Sequence, residues 1–256
     1  MTESLLAPAE EPGLWTPLSP GTRLVRGGGF TLVARHERAT VERVRLAPRG
    51  VAPAVAEARS LARAHGVRDV VWWVGGLSRP AGLGEMLLAE GLVPYVEEPR
   101  LVVLTIDRPP PAPGGVEVRP VADLAAYREA IAVDWEAWDM PEHALAQRLA
   151  SSAETWESQR ASRRVEHHLA YIDGRPAGFS RLVATDAAGV LMGGAVVPWA
   201  RGRGAYRALV HARWLASVSR GAPRLVTSAG AMSTPVLERL GFVSIGEVLL
   251  LRDPLA

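Results

Sequence analysis

The amino-acid sequence predicts an α/β protein, an α+β arrangement of mixed sheets flanked by helices, built as two tandem domains. Apolar segments of strand length alternate with amphipathic segments of helical period along most of the 256 residues. The order strand, helix, strand, helix, strand occurs twice, and residues 86–92 (MLLAEGL) parallel residues 236–242 (VLERLGF). A proline- and glycine-rich segment, residues 109–115, separates the two halves. We therefore expect a duplicated fold with its boundary at this segment.

Composition narrows the class of protein. Hydrophobic residues make up 48% and charged residues 22% of the chain, as in globular proteins. The net charge of +2 and the absence of lysine give little support to a nucleic-acid partner, so none is expected. The absence of cysteine removes disulfides, thiolate metal sites and an acyl-cysteine intermediate, and we expect no metal. Without a basic, apolar leader or about 18 consecutive apolar residues, no membrane association and a cytoplasmic location are expected.

The first half is predicted to contain a flexible leader and one domain. Residues 1–29 are rich in proline, glycine and serine, which favours a loosely ordered leader. Residues 30–108 form the first predicted domain. Its predicted strands are residues 30–34, 41–47, 70–74 and 95–106, the last as one long or two short strands. A helix is predicted at 51–64 and another ends at Glu90 and Gly91.

The second half is predicted to form the second domain, residues 116–256, after the linker 109–115. Asp123 is a predicted helix N-cap, and Met140–Pro141 interrupts the helical pattern. The predicted strands are residues 116–119, 169–172, 178–185, 190–197 and 224–227, and the predicted helices are residues 122–138, 142–160, 205–215 and 233–240.

The stretch from Val190 to Leu215 predicts an anion site. Pro198 ends an apolar strand, and the turn Arg201–Gly204 (RGRG) follows it. Apolar positions 205, 208, 209, 212 and 215 then form one stripe of a helix, with Arg207, His211 and Arg213 off that stripe. Because a helix N-terminus presents unpaired N–H groups and partial positive charge, this arrangement suits a phosphate or pyrophosphate. The alternative is a solvated loop that only caps the helix.

Other phosphate motifs are absent from the chain. There is no G-x-x-x-x-G-K-[ST] sequence, and Gly202-Arg203-Gly204 is followed by Ala205-Tyr206-Arg207, which does not complete G-x-G-x-x-G. A nucleoside triphosphatase loop is thereby excluded, and a dinucleotide-binding fold is disfavoured.

Val196-Val197-Pro198 followed by Arg201-Gly202-Arg203-Gly204-Ala205-Tyr206 resembles the acyl-CoA signature of the GNAT superfamily of acyl-CoA-dependent N-acyltransferases. That signature is a strand ending V-x-P and then [QR]-x-x-G-x-[GA]; Tyr206 departs from its last position. Residues 224–227, 233–240 and the Leu240-Gly241-Phe242 turn resemble the superfamily's second signature. The resemblance covers residues 116–251, about half the chain. Residues 46–51 (LAPRGV) retain a strand, Pro48 and Arg49-Gly50 but no cradle. Residues 30–108 are therefore predicted to be a degenerate GNAT-like domain that binds no CoA and shapes the acceptor cleft, and the alternative is a second active site.

The resemblance implies acetyl-CoA as cosubstrate. Backbone groups of Ala195, Val196 and Val197 would pair with the pantetheine arm, and amides from Arg201 to Tyr206 would hold the pyrophosphate. Ser233 is a further candidate for CoA binding or proton relay, and its alternative role is a helix N-cap. Leu237 occupies the position where the family often has a tyrosine that protonates the leaving thiolate. The implied cofactor-binding set is Ala195, Val196, Val197, Arg201, Gly202, Arg203, Gly204, Ala205, Tyr206 and Ser233.

Candidate acceptor and proton-transfer residues come from charge and hydrogen-bonding chemistry. Four carboxylates around the helix break, Asp134, Glu136, Asp139 and Glu142, are either an acidic wall for a cationic amine or a solvated helix face. N-acylation needs a neutral amine, so a proton acceptor is required. Glu166 and His168 on the hairpin strand are candidates, against a role as ordinary surface residues. Ser233 completes the catalytic set.

These observations predict an N-acetyltransferase that moves an acetyl group directly from acetyl-CoA to a primary amine of a small molecule. The alternative is a non-catalytic acetyl-CoA-binding sensor or partner protein, favoured by Leu237. Because duplication can replace dimerisation, the expected state is a monomer or a homodimer.

Overall fold

The computed structural model of the chain describes residues 3–255 and divides into two compact units. The first consists of Met1–Leu104, Ser228–Glu238 and Val243–Ala256, and the second of Thr105–Thr227 and Arg239–Phe242. These units differ from the predicted domains 30–108 and 116–256, because the end of the chain clusters with the first half. Of the predicted leader and second domain, Met1, Thr2 and Ala256 lie outside the described residues.

The first unit is a mixed sheet with helices. The strands are β1 (Thr22–Arg26), β2 (Thr31–Arg35), β3 (Arg38–Glu42), β4 (Asp69–Val74), β5 (Val93–Pro94), β6 (Arg100–Ile106, whose last two residues belong to the second unit) and β12 (Val243–Asp253). Their order is β1-β2-β3-β4-β12-β6, and β3 and β4 are parallel. The helices are α1 (Glu3–Glu10), α2 (Pro12–Trp15), α3 (Val51–Ala64), α4 (Leu83–Ala89) and α9 (Thr234–Arg239, whose last residue belongs to the second unit).

The prediction of a loosely ordered leader is wrong for the described part of residues 1–29. Helices α1 and α2 and strand β1 lie there, and Leu5, Ala7 and Ala9 are buried. Two carboxylates fix this segment. Glu10 accepts hydrogen bonds from Gly76 N and Leu77 N at 3.0 and 2.8 Å, and Glu11 pairs with Arg43 and Arg45 at 2.8 Å. The prediction rested on composition, which carries no information about contacts with residues far away in the sequence.

Helix α3 covers the core of the first unit. Its buried face includes Val51, Ala54, Val55 and Ala58, which pack in one cluster with strand residues that include Trp72. Strand β3 ends earlier than the predicted strand 41–47, because Arg43 adopts a left-handed φ of 53°.

The second unit is also a mixed sheet flanked by helices. Its strand order is β11-β10-β9-β8-β7, with β10 and β11 parallel and the other pairs antiparallel. The strands are β7 (Glu117–Pro120), β8 (Val165–Ile172), β9 (Arg175–Ala184), β10 (Gly189–Val196) and β11 (Leu225–Ala229, whose last two residues belong to the first unit). The helices are α5 (Leu124–Ala137), α6 (Glu142–Ala150), α7 (Ser152–Ser162) and α8 (Ala205–Ser219).

Local sequence accounts for the helix boundaries in this unit. The Asp123 carboxylate accepts a hydrogen bond from Ala126 N at 2.8 Å, which confirms the predicted N-cap of α5. Pro141 precedes α6, as the predicted interruption requires. The predicted single helix 142–160 is instead two helices, α6 and α7, separated at Ser151.

The chain's last strand belongs to the first unit. Strand β12 pairs antiparallel with β4, from Leu249 opposite Val74 to Asp253 opposite Val70. Leu251 is fully buried in the first unit's core. The prediction of residues 116–256 as one domain therefore differs from the observed units, because pairing between strands about 180 residues apart in the sequence leaves no local signal.

Candidate active site

Strand β10 separates from its parallel neighbour after two residues. It pairs with β11 at Gly189 opposite Leu225 and Val190 opposite Val226, and its register with β9 shifts between Leu191 and Gly194. Beyond this bulge β10 pairs with β9 again, whereas no further pair with β11 occurs among residues 3–255. One backbone edge of β10 is thus left open to a ligand.

Two arginines hold consecutive carbonyl groups of the bulge. Arg181 Nε donates to Met192 O at 3.0 Å, and Arg213 Nη1 donates to Gly193 O at 3.2 Å. A bulge interrupts the ladder and leaves such groups without a strand partner. Arg213 is only 1% exposed and also donates to Leu209 O at 3.1 Å. The side chains therefore fix the backbone at the point where the strands separate.

The glycine turn opens onto the N-terminus of α8. Gly202 and Gly204 have φ of 76° and 92°, left-handed values that favour glycine. Arg201 N and Arg203 N donate to Pro198 O and Ala200 O within the turn. By contrast, Gly202 N and Gly204 N donate to no group in the described part of the chain. The unused amides and the first N–H groups of α8 make an anion-binding surface.

The two arginines of the turn make different contacts. Arg201 donates to Ala137 O at 2.9 Å and to Val196 O at 3.3 Å, so its guanidinium braces the turn. Arg203 is half-exposed, pairs with Asp173 at 2.9 Å and lies 5.7 Å from the Trp199 ring. The Tyr206 hydroxyl interacts with Arg213. Both guanidiniums of the turn therefore already have protein partners, whereas the amides of Gly202 and Gly204 do not within the described residues.

A cavity of about 200 Å³ lies against the bulge. Helices α5 and α6 and strands β8, β9 and β10 supply its walls. Its charged groups are Asp134, Arg148 and Arg181, and aromatic rings make most of the remaining surface. The lining residues are Tyr127, Ile131, Asp134, Trp135, Trp138, Arg148, His167, Phe179, Arg181, Met192, Gly193 and Gly194.

Burial changes the acid-base properties of the cavity walls. It raises the pKa of the Asp134 carboxyl and lowers the pKa of His167 to about 3, with Arg181 adding to that decrease. The His167 ring stacks on Phe179 with 5.6 Å between ring centres. Arg148 Nη2 donates to the Tyr127 hydroxyl at 3.3 Å. At neutral pH the histidine is uncharged.

The four predicted acceptor carboxylates are not assembled into one wall. Asp134 lines the cavity, whereas Glu136, Asp139 and Glu142 are exposed and do not line it. The solvated-face alternative describes these three residues. Residues that periodicity did not single out, Arg148 and Arg181, supply the other charges of the cavity.

The predicted proton acceptors lie outside this cavity. Glu166 pairs with Arg220 at 2.6 Å and lines a neighbouring cavity of about 230 Å³. His168 is buried, its Nδ1 has no hydrogen-bond partner within the described chain, and burial lowers its pKa to about 4, with the charge of Arg213 contributing. The structure therefore brings neither side chain to the cavity beside the bulge.

Ser233 and Leu237 belong to the first unit. Ser233 O accepts from Val236 N and Leu237 N; no described group is hydrogen-bonded to its hydroxyl, and Thr234 Oγ1 instead donates to Gly230 O at 2.9 Å. The predicted side-chain cap at Ser233 is absent from this arrangement. Leu237 is 1% exposed, so its side chain is a core group.

Helix α3 of the first unit does not begin at a left-handed glycine. Gly50, before α3, has an ordinary φ of −90°. The segment that follows β3 pairs with the backbone of Arg79. Leu46 N donates to Arg79 O and Arg79 N donates to Val44 O, at 3.1 and 2.9 Å. In the first unit, the corresponding backbone edge is therefore hydrogen-bonded to another segment of the same unit.

Comparisons with known proteins give the fold. No family model matches the chain and no curated protein matches it. A tandem GNAT protein from the clavulanic acid biosynthesis pathway is 21% identical, with a TM-score of 0.67 over 93% of this chain and 85% of that chain. A GCN5-related N-acetyltransferase from Kribbella flavida is 20% identical, with a TM-score of 0.71 over 98% and 95%. One from Sphaerobacter thermophilus is 18% identical, with a TM-score of 0.64 over 89% and 77%.

The chain therefore has the tandem GNAT fold, as its two signatures predicted. No helix between residues 3 and 255 is long and apolar enough to span a membrane. Among the same residues, no group of three or more His, Asp or Glu side chains is placed to hold a metal ion.

Proposed function

We propose that the protein is an acetyl-CoA-dependent N-acetyltransferase that acylates a primary amine of a small molecule by direct transfer. The observation that carries this proposal is the separation of β10 from β11, which leads into the Gly202–Gly204 turn at the start of α8. An open strand edge accepts an extended, amide-bearing arm, and a helix N-terminus accepts a diphosphate. Coenzyme A carries both groups in one molecule.

Backbone groups would hold most of the cosubstrate. The pantetheine arm would lie along Ala195, Val196 and Val197, where Val197 N already donates to Ala177 O and Val196 O accepts from Arg201 Nε. The amides of Gly202, Gly204, Ala205 and Tyr206 would hold the pyrophosphate. Arg203 adds exposed positive charge beside the turn. The fit is supported by amides without internal partners and by the open space at Gly202, where an added Cβ would meet no atom within 4 Å.

The chemistry assigns Asp134 as the proton acceptor. The amine nitrogen forms a bond to the acetyl carbonyl carbon, the carbon–sulfur bond breaks and CoA leaves as a thiolate. The nitrogen must lose a proton, and a carboxylate with a raised pKa takes one up at neutral pH more readily than an ordinary carboxylate. His167, with a pKa of about 3, is a much weaker base. Because the Leu237 side chain has no acidic proton, it cannot protonate the leaving thiolate.

Calorimetry with acetyl-CoA tests the cofactor site. Gly204→Glu places a carboxylate and a Cβ where the turn is left-handed, and we expect binding to be lost. Gly221→Glu is the matched control, because Gly221 is a left-handed glycine at the other end of α8 with φ of 79°. We expect this control to bind as wild type does. Absence of binding by the wild-type protein would reject the proposal.

Thiol release with an amine panel separates the enzyme from a non-catalytic acetyl-CoA sensor. The sensor is favoured by the buried, apolar Leu237. Turnover of any primary amine would exclude it. Tight acetyl-CoA binding with no release across a broad panel would support the sensor and exclude the transferase.

A further inference from the structure

The cavity beside the bulge carries an excess of positive charge. Its walls contain two guanidinium groups, Arg148 and Arg181, and one carboxylate, Asp134. From this we infer that the acceptor carries an anionic group beside its primary amine, as an α-amino acid carries a carboxylate. The inference rests on the proposed function and names the acceptor class of the same site.

The other titratable groups of the cavity do not cancel this charge. Burial holds Tyr127 in its neutral form by raising its pKa and holds His167 in its neutral form by lowering its pKa to about 3. With Asp134 ionised, the cavity has a net charge of about +1, and with Asp134 protonated, about +2. A dicationic acceptor would have to enter this positive field, whereas an anionic group would be attracted by it.

The three charged side chains come from three different elements, with Asp134 on α5. Arg148 comes from α6, where Nη2 contacts the Tyr127 hydroxyl at 3.3 Å. Arg181 comes from β9, where Nε holds Met192 O of the bulge at 3.0 Å. The two guanidiniums therefore enter the cavity from separate walls, one of them at the bulge.

Guanidinium geometry and the reaction itself favour the same acceptor. A planar guanidinium binds a carboxylate through charge-assisted hydrogen bonds. Nearby positive charge lowers the pKa of a bound ammonium group, which increases the fraction of neutral, nucleophilic amine. Asp134 remains as the carboxylate that can receive the proton. The carboxylate of an amino acid would thus bind a guanidinium, and its amine would give up its proton to Asp134.

Matched acceptor series test the inference with the full-length protein. Each series has an α-amino acid, its carboxamide and the decarboxylated amine, with the same small, aliphatic or aromatic side chain. Thiol release from acetyl-CoA at pH 8 gives kcat/KM for each compound. We expect at least one amino acid to exceed its carboxamide by about tenfold or more. The carboxamide has the larger fraction of free amine at this pH, so amine ionisation opposes the expected order.

Arg148 variants identify the source of the preference. Arg148→Gln should reduce the acid-to-amide ratio by about tenfold through a rise in KM, and Arg148→Lys should retain part of it. Arg164→Gln, an exposed arginine after α7, should keep the wild-type ratio. Thermal unfolding checks that each variant is folded.

The possible failures are distinguishable. If wild type acetylates carboxamides or decarboxylated amines as well as or better than the amino acids, the acceptor class is wrong and the transferase stands. An unchanged ratio in folded Arg148→Gln and Arg148→Lys also overturns the inference. Absence of thiol release in every series would overturn the acceptor class, and the transferase would fall with it only if the broad amine panel also gave no release.

Discussion

Asp134 is a half-buried carboxylate on the cavity wall, and desolvation increases its affinity for a proton. Asp134→Asn is expected to lower kcat by about 100-fold or more while the Kd of acetyl-CoA stays the same, because only proton transfer is removed. Activity needs the ionised carboxylate, so wild-type kcat should fall as the pH drops through the raised pKa of Asp134. Steady-state kinetics across pH measures both effects.

The control for this prediction is Glu136→Gln, since Glu136 lies two residues away on α5 and is exposed. It should keep the wild-type rate and pH profile. If Asp134→Asn were as active as Glu136→Gln, another group would have to accept the proton.

Glu42 is a second carboxylate whose burial has a measurable consequence. It is 1% exposed, accepts from Gly13 N at 2.8 Å and from Thr40 Oγ1 at 2.6 Å, and its pKa rises to about 7 mainly through desolvation. The folded state therefore binds a proton more tightly than the unfolded state. The free energy of unfolding should fall by about 3 kcal/mol through this group as pH rises from about 4.5 to about 7.

Glu42→Gln should remove this pH dependence, because the amide cannot ionise. We expect the melting temperature of the variant relative to wild type to rise between pH 5 and pH 8. Glu37→Gln, at a carboxylate that is 65% exposed, serves as control and should follow wild type. A constant difference between Glu42→Gln and wild type across this range would show that Glu42 does not titrate as described.

At the level of elements, sequence periodicity predicted α8 but misplaced part of its buried face. Ala205, Ala208 and Leu209 are buried as expected, whereas Leu215 is 54% exposed and Arg213, placed off the stripe, is buried. Arg213 is inside because the bulge carbonyl of Gly193 needs a donor. A local pattern carries no information about a carbonyl 20 residues away, so the polar contact could not be foreseen.

The same limit explains the acceptor cavity. Asp134 was one of four similar acidic candidates, and only the packing of α5 against β9 and β10 distinguishes it from its exposed neighbours. Arg148 and Arg181 carry no local signature. The glycine turn, by contrast, was identified in the sequence because a strand, left-handed glycines and a helix start are adjacent along the chain.

Helix α8 and the bulge should be energetically linked through Arg213. Arg213→Lys keeps a positive charge but cannot reach both Leu209 O and Gly193 O in the fork geometry of a guanidinium. We expect acetyl-CoA to bind roughly tenfold more weakly, which corresponds to about one lost hydrogen bond at the bulge. Calorimetry measures the change.

Arg207→Lys is the control for this helix variant, since Arg207 is exposed on α8 and keeps its charge. It should bind acetyl-CoA within a factor of two or so of wild type, as expected for a surface substitution. Equal affinities for Arg213→Lys and wild type would show that the bulge keeps its shape without the guanidinium.

For the whole molecule, the duplication and the tandem fold were predicted correctly, but the chain's end was assigned to the wrong half. Strand β12 belongs to the first unit through its pairing with β4 and through Asp253, whose carboxylate is buried and receives Arg59 Nε at 2.9 Å. Arg59 lies on α3, far from Asp253 in the sequence, so the residues around Asp253 do not predict this ion pair.

Asp253 should therefore contribute to the stability of the first unit despite its place near the C-terminus. Asp253→Asn leaves Arg59, 26% exposed, without its counter-charge and weakens the bond from Leu255 N. We expect a loss of about 2–3 kcal/mol, less than for a fully buried pair because Arg59 retains some water. Glu247→Gln removes an exposed partner of Arg100 and should cost about 1 kcal/mol or less. Denaturant unfolding followed by tryptophan fluorescence compares the two variants, and equal losses would mean that the last strand is not anchored through Asp253.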